Sequence, residues 1–282
     1  MNNQKLKFLY TDIKDSYLEL LKDTLTHIIY GNYEVGATLS SRFLIEKIIS
    51  KILGLVHLKL VFNKPFNLKD REYGNDWPLS AHTMIGKRRL NNIQFCIENI
   101  LKEKIPGDLI EAGVWRGGAS IFMKGVLKAC GDNKRCVWLA DSFRGLPPPD
   151  IKMYPQDKGD IFYQVGYLAV PVEEVKNNFK AYNLLDDRVK FLIGWFKDTL
   201  PKAPIGKLAL IRCDGDMYES TMDILVNLYH KLSTGGYVII DDYYYIPACK
   251  QAVDDFRKKN NIKDKIFDIT DIKGGIYWKK LQ

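Results

Sequence analysis

From Asp108 onward the chain alternates short apolar runs with stretches of helical period, and this alternation constrains its fold more than any other feature of the sequence. The runs "DLIEAGV", "CVWLAD", "VKFLIG", "KLALIRCD" and "YVIIDD" have the length and composition of buried strands, and amphipathic segments separate most of them. Strands and helices in alternation predict a mostly parallel sheet with helices on both faces, the doubly wound or Rossmann-like α/β class. The last two pieces, "KIFDITD" and "GGIYWKK", are joined by a short glycine-containing loop and predict a hairpin, hence an antiparallel edge.

The first hundred residues are helical in pattern. "SYLELLKDTLTHIIYG" sets Tyr17, Leu18, Leu21, Leu25 and Ile28 at helical spacing and stops at Gly31. "SRFLIEKIISKILGLVHLKLVF" predicts a second apolar helix carrying Lys47, Lys51 and Lys59, better suited to covering a site or packing in a dimer than to lying on a membrane. Residues 1–85 are therefore expected to form a helical lid or extension on an α/β domain spanning 86–282, and a homo-oligomer is expected. "DWPLSAHTMIGKRRL" turns at Pro78 and enters a helix through "NNIQFCIENILKEK". "DSFRGLPPPDIKMYPQDKGDIFYQVGYLAV" is a long proline-rich insertion after the second strand, and insertions of that length in a compact domain are usually functional or disordered.

Composition excludes several classes. With 46% hydrophobic and 27% charged residues over 282 positions, the chain has the make-up of an ordinary globular protein. Its five cysteines are scattered and never spaced as CxxC, which argues against a disulfide framework or a zinc knuckle. No segment reaches the ~18 uninterrupted apolar residues of a membrane span, and the N-terminus lacks the apolar stretch of a secretory signal, so a cytoplasmic protein without an integral membrane segment is expected. The net charge of +8 is spread along the chain and not interleaved with aromatics, which disfavours a nucleic-acid partner.

The chemistry-bearing residues fall where the strands end. "EAGVWRGGAS" places Glu111, Gly113, Gly117 and Gly118 at the first strand-to-helix turn, where glycines let backbone approach a ligand. The spacing is not G-x-G-x-x-G, and a carboxylate beside it would repel a pyrophosphate. Asp141 ends the second strand, where such folds present an acid to ribose hydroxyls, although a helix cap would also use it. A nucleoside that carries positive charge and no phosphate suits this pair of turns, and S-adenosylmethionine answers that description. Asp214 and Asp216 leave the fourth strand while Asp241 and Asp242 leave the fifth. Like charges so close raise each other's pKa unless a cation compensates, and carboxylates without histidine or cysteine specify an oxygen-seeking ion such as Mg²⁺. Helix capping by Asp216 and a turn at Asp241 would explain one acid per strand but not two pairs. His82 reads equally as a structural residue or a substrate contact.

Taken together, "GDLIEAGVWRGGASIFM", "DSFRGLPPPD", "GWFKDTLPKAP", "RCDGDMYESTMDIL", "GGYVIIDDY", "IPACKQAVDDFR" and "DWPLSAHTMIG" resemble the macrocin O-methyltransferase (TylF-like) family, metal-dependent enzymes that methylate sugar hydroxyls. The resemblance implies a class I methyltransferase fold with a seven-stranded sheet and S-adenosylmethionine lying over "EAGVWRGG", Asp141 and Ser142, its adenine near Gly194 and Phe196. It further implies that Asp214, Asp241 and Asp242 hold Mg²⁺, that Asp216 is the general base, and that Met84 and Ile85 lie against the cofactor and His82 against the substrate. The implied acceptor is a small molecule or glycan with vicinal hydroxyls. A catechol-type O-methyltransferase and a ligand-binding protein without turnover are the alternatives. The sequence departs from the family pattern mainly between Gly31 and Leu68, where the acceptor would be covered, and at "DIKGGIYW" near the C-terminus.

Overall fold

The computed structural model describes residues 3–33, 37–38, 49, 51–53, 61–62, 65–270 and 274–281. Most of the second N-terminal helix expected from the sequence, over 41–62, lies outside the described residues. The strands fall where the apolar runs predict them: β1 (Asp108–Ala112), β2 (Val137–Asp141), β3 (Val189–Ile193), β4 (Leu208–Cys213), β5 (Leu232–Ile240), β6 (Phe267–Asp268) and β7 (Ile276–Lys279). They form one seven-stranded sheet in the order β3-β2-β1-β4-β5-β7-β6. Strands β1 to β5 pair in parallel, and β7 runs antiparallel to both β5 and β6. The order reverses between β1 and β4, which opens a crevice at the carboxyl edge there.

The helices are α1 (Asn3–Leu25), α2 (Leu68–Tyr73), α3 (Gly86–Lys102), α4 (Gly118–Ala129), α5 (Val172–Ala181), α6 (Phe196–Thr199), α7 (Tyr218–Leu228) and α8 (Pro247–Lys259). Side chains alternate across the strands, so each face of the sheet has its own core. Leu109, Leu139 and Ile239 pack with Ile93 and Ile97 of α3, Phe122 of α4 and Phe179 of α5. Ile110, Ala140, Ile211 and Ile240 pack with Ile224 and Leu228 of α7, Val253 of α8 and Trp278 of β7. Burying a leucine or isoleucine side chain contributes about 1.5–3 kcal/mol, so these two layers dominate the stability.

Helix α1 joins the first layer. Leu18, Leu21 and Leu25 are buried, and Leu21 fills the space over Gly125 of α4, where a Cβ would lie 2.4 Å from its Cδ2. The helix stops at Leu25 because His27 turns to φ 56°, and the chain continues as a 3-10 turn over Ile28–Tyr33. The long insertion after β2 is ordered by three 3-10 turns, Pro155–Asp157, Phe162–Gln164 and Gly166–Leu168. Among the described residues no helix is long and apolar enough to cross a membrane.

Candidate active site

The turn after β1 touches the turn after β4. Gly113 has φ 90°, and a Cβ there would stand 1.7 Å from the backbone oxygen of Asp214, so only glycine fits. Ladder-like bonds continue past the strand ends on both sides, from Gly113 N–H to the Ala140 carbonyl (3.0 Å) and from Asp214 N–H to that of Ala112 (2.8 Å). Above this junction opens a cavity of about 800 Å³. His82, Met84, Ile85, Glu111, Gly113, Asp141, Ser142 and Phe196 line it together with Asp214, Asp216, Asp241 and Asp242. Gly117, Gly118 and Gly194 are not in its wall. Gly118 instead lets α4 meet the His82 carbonyl, which accepts its N–H at 2.9 Å and would lie 2.3 Å from an added Cβ.

Asp141 caps no helix. Its Oδ2 accepts from Val114 N–H and its Oδ1 from Phe143 N–H, each at 2.7 Å, so it ties the β1 turn to the β2 turn. Burial pushes its pKa up while these amides oppose the shift.

The acids beyond it are arranged differently from the expectation. Among the described residues, Asp214, Asp216 and Asp242 bring carboxylate oxygens within 4.8 Å of one another. Asp241, expected as a third ligand, has both oxygens engaged by guanidinium groups: Oδ1 by Arg212 at 2.5 Å and Oδ2 by Arg89. Each of its oxygens already meets one guanidinium, and it stands outside the cluster of three. Arg212, 1% exposed within β4, also meets Glu111 Oε1 at 2.6 Å and Asp214 Oδ2 at 2.8 Å, and Ser120 donates to Glu111 Oε2. Glu111 is thus an internal counter-ion as well as part of the cavity wall.

Two arginines do not balance this many acids. Burial and then Asp214 push Asp216 up to about 8, and burial with Asp214 and Asp216 drives Asp242 well above the usual carboxylate range. Asp242 Oδ2 is buried with no hydrogen-bond partner among the described residues. A buried polar atom of that kind costs on the order of 1–3 kcal/mol unless something satisfies it. A set of oxygen donors alone, with one orphaned, fits a hard divalent cation. Nor does Asp216 cap α7. The first amides of that helix are taken by Asp157, 61 residues earlier in sequence, at 2.6 Å from Tyr218 N–H and 3.1 Å from Glu219 N–H.

His82 lines the cavity with its Nδ1 2.8 Å from the Tyr182 hydroxyl and its ring edge-on to Tyr182 and His27. Burial, with smaller effects from His27 and Arg116, lowers its pKa to about 4 and keeps it neutral. Residues not foreseen from the sequence complete the wall: Arg89, Arg212, and the aromatics Trp77, Trp115, Phe162 and Tyr245. Trp77 stacks on Tyr167 (5.5 Å between centroids, 16° between planes).

The profile described as macrocin-O-methyltransferase (TylF) matches residues 14–280. The chain belongs to this family. It is an S-adenosylmethionine-dependent O-methyltransferase. It is 46% identical to the Streptomyces olivaceus 8-demethyl-8-(2,3-dimethoxy-alpha-L-rhamnosyl)-tetracenomycin-C 4'-O-methyltransferase, over 95% of this chain and 94% of that one. It is 43% identical to the mycinamicin III 3''-O-methyltransferase of Micromonospora griseorubida, over 94% and 96% of the two chains. Among solved structures, the O-methyltransferase NovP superposes with a TM-score of 0.82 at 43% identity, covering 95% of this chain and 100% of its own. The expected class I methyltransferase sheet, with its antiparallel C-terminal strands, is therefore the observed fold.

Proposed function

We propose that this enzyme transfers the methyl group of S-adenosylmethionine to a sugar hydroxyl that has a second hydroxyl beside it, with Mg²⁺ held by Asp214 and Asp242. One observation carries the reading. Three carboxylates, of which Asp214 shares Arg212 with Glu111 and Asp241 and one has an orphaned oxygen among the described residues, lie in one cavity with the Gly113 turn and Asp141. The relatives named for a rhamnosyl-tetracenomycin and for mycinamicin support a glycosylated natural product as the acceptor class. The cytoplasm is the proposed compartment.

Each residue's part follows from its chemistry. Asp141 is held by the Val114, Phe143 and Trp115 amides and by the Ser142 hydroxyl, and it lines the cavity as the acceptor offered to ribose hydroxyls. Met84, Ile85 and Phe196 offer apolar walls to the adenine. Mg²⁺, when bound, neutralises the acids and lowers the pKa of a coordinated hydroxyl. Asp216, the member of the cluster not given to the metal, lines the same cavity and is the carboxylate placed to take the acceptor hydroxyl's proton. His82, neutral at pH 7, is not a general acid and presents a polar edge to the acceptor. The remaining work is alignment of the oxygen with the sulfonium methyl.

The test is transfer from isotope-labelled S-adenosylmethionine to a panel of glycosides with and without vicinal diols, followed by mass spectrometry. Transfer confined to the diols supports the reading. Binding of cofactor with no transfer to any glycoside, at any Mg²⁺ concentration, overturns it.

A further inference from the structure

The insertion after β2 does more than wall the cavity. Its Pro147, Pro148, Phe162 and Leu168 line the space, while Asp157, 2% exposed, is bound to the start of α7. That helix has no cap of its own. Met217 stands at the capping position with an apolar side chain, and both carboxylate oxygens of Asp157 serve in its place, one on Tyr218 N–H and one on Glu219 N–H. Immediately before Met217 stands Asp216, whose φ of 57° is left-handed, a conformation that a residue with a Cβ keeps only where its surroundings hold it. The turn is tight, with Met217 N–H on the Gly215 carbonyl at 2.6 Å.

We propose that Asp157 is a positioning residue. By fixing the first amides of α7 it holds the Asp216 turn in its strained form, and it makes the aim of Asp216 depend on how the insertion is seated. An acceptor that presses on Phe162 or Leu168 thereby reports to the base, so the wall that senses the acceptor and the group that deprotonates it move as one. The role given to Asp216 rests on the proposed function; the coupling of insertion to turn does not.

The test compares Asp157→Ala, which removes the cap, with Asp157→Ser, which keeps one acceptor of the kind helix starts favour. Hydrogen exchange read by mass spectrometry should show amides 216–221 losing protection roughly 3- to 30-fold in Asp157→Ala, the worth of one cap, and less in Asp157→Ser. The exchange of β1 and β2 and the affinity for S-adenosylhomocysteine, read by calorimetry, should stay within about twofold. On a glycoside that the wild type methylates, kcat should fall at least about tenfold in Asp157→Ala and recover partly in Asp157→Ser, with KM for S-adenosylmethionine unmoved. Unchanged protection at 216–221 overturns the proposal, as does wild-type kcat in a variant whose turn has loosened. Should Asp157→Ala not fold, the serine variant decides alone by the same readings. A wild type that methylates nothing sinks the functional reading, and the exchange experiment still judges the coupling.

Discussion

Two turns at the same edge of the sheet, in contact through Gly113 and Asp214, are finished to different degrees. At the β1 and β2 turns the single carboxylate of Asp141 meets a backbone N–H on each oxygen, and the charge is spread into the peptide frame. At the β4 and β5 turns Asp214, Asp216 and Asp242 face one another, and one buried oxygen has no donor among the described residues. The first turn is complete as protein and can take neutral hydroxyls. The second holds more carboxylates than Arg89 and Arg212 balance, and burial raises the pKa of Asp216 and Asp242. On the proposed function, neighbouring positions in one fold divide the work: one recognises and the other reacts.

Chelation should break this contrast most severely. We expect EDTA to abolish methyl transfer and Mg²⁺ to restore it, while affinity for S-adenosylhomocysteine, which depends on the finished turn, changes little. Full activity after exhaustive chelation would remove the metal from the scheme. Asp216→Asn should lower kcat by roughly 10²- to 10⁴-fold with metal and cofactor affinities nearly intact. A kcat near that of the wild type would mean that no dedicated base is needed.

Asp241→Asn sharpens the comparison from the side of the arginines. It leaves Arg89 and Arg212 short of a counter-charge, which should destabilise the fold by about 3–5 kcal/mol in urea unfolding. The Mg²⁺ concentration for half activity should move less than in Asp214→Asn, and an equal or larger shift would place Asp241 among the ligands. Asp141→Ala should weaken S-adenosylmethionine binding by about 1–3 kcal/mol in calorimetry, from lost ribose contacts and from the freed Val114 and Phe143 amides. An unchanged affinity would leave Asp141 a tie between turns and nothing more.

The smallest effect concerns His82. Its folded pKa of about 4 lies below the ordinary 6.5, so the unfolded chain binds the proton first as pH falls. Stability is therefore intact above about pH 6.5 and is lost progressively between there and about pH 4. Allowing for solvent at this partly exposed ring, the loss should be about 1–2 kcal/mol. Urea titrations at pH 7.5 and 5 should show it in the wild type and a flatter dependence in His82→Gln.

The sheet was legible because buried parallel strands are continuous apolar runs closed by glycine or aspartate, and "LALIRCD" and "YVIIDD" announce both the strand and the edge at which it empties. The two acidic pairs were legible for the same reason. What local pattern could not reveal were the partners: Arg89 reaches Asp241 from 152 positions away, and Asp157 caps a helix 61 positions downstream. One signal was present in the string. An arginine inside an otherwise apolar strand must be paired once buried, and Arg212, flanked by acids, marked itself as the counter-charge of the centre. His82 and the glycines at 117 and 118 carried no comparable signal, since close backbone packing and ligand approach select the same residue types.

The fit of Leu21 over Gly125 has a consequence for anyone who would redirect the acceptor by exchanging N-terminal segments among family members. A chimera joined at residue 86 cuts through the first core layer, because Leu18, Leu21 and Leu25 lie within it. Donor and recipient must agree at the α1–α4 contact, where even one methyl group on Gly125 would collide with the incoming leucine. The useful crossover is therefore not the apparent hinge between extension and sheet. It is a pair of cuts, one after α1 and one before α3, that transplants the segment between them and leaves both halves of the contact with their native mates.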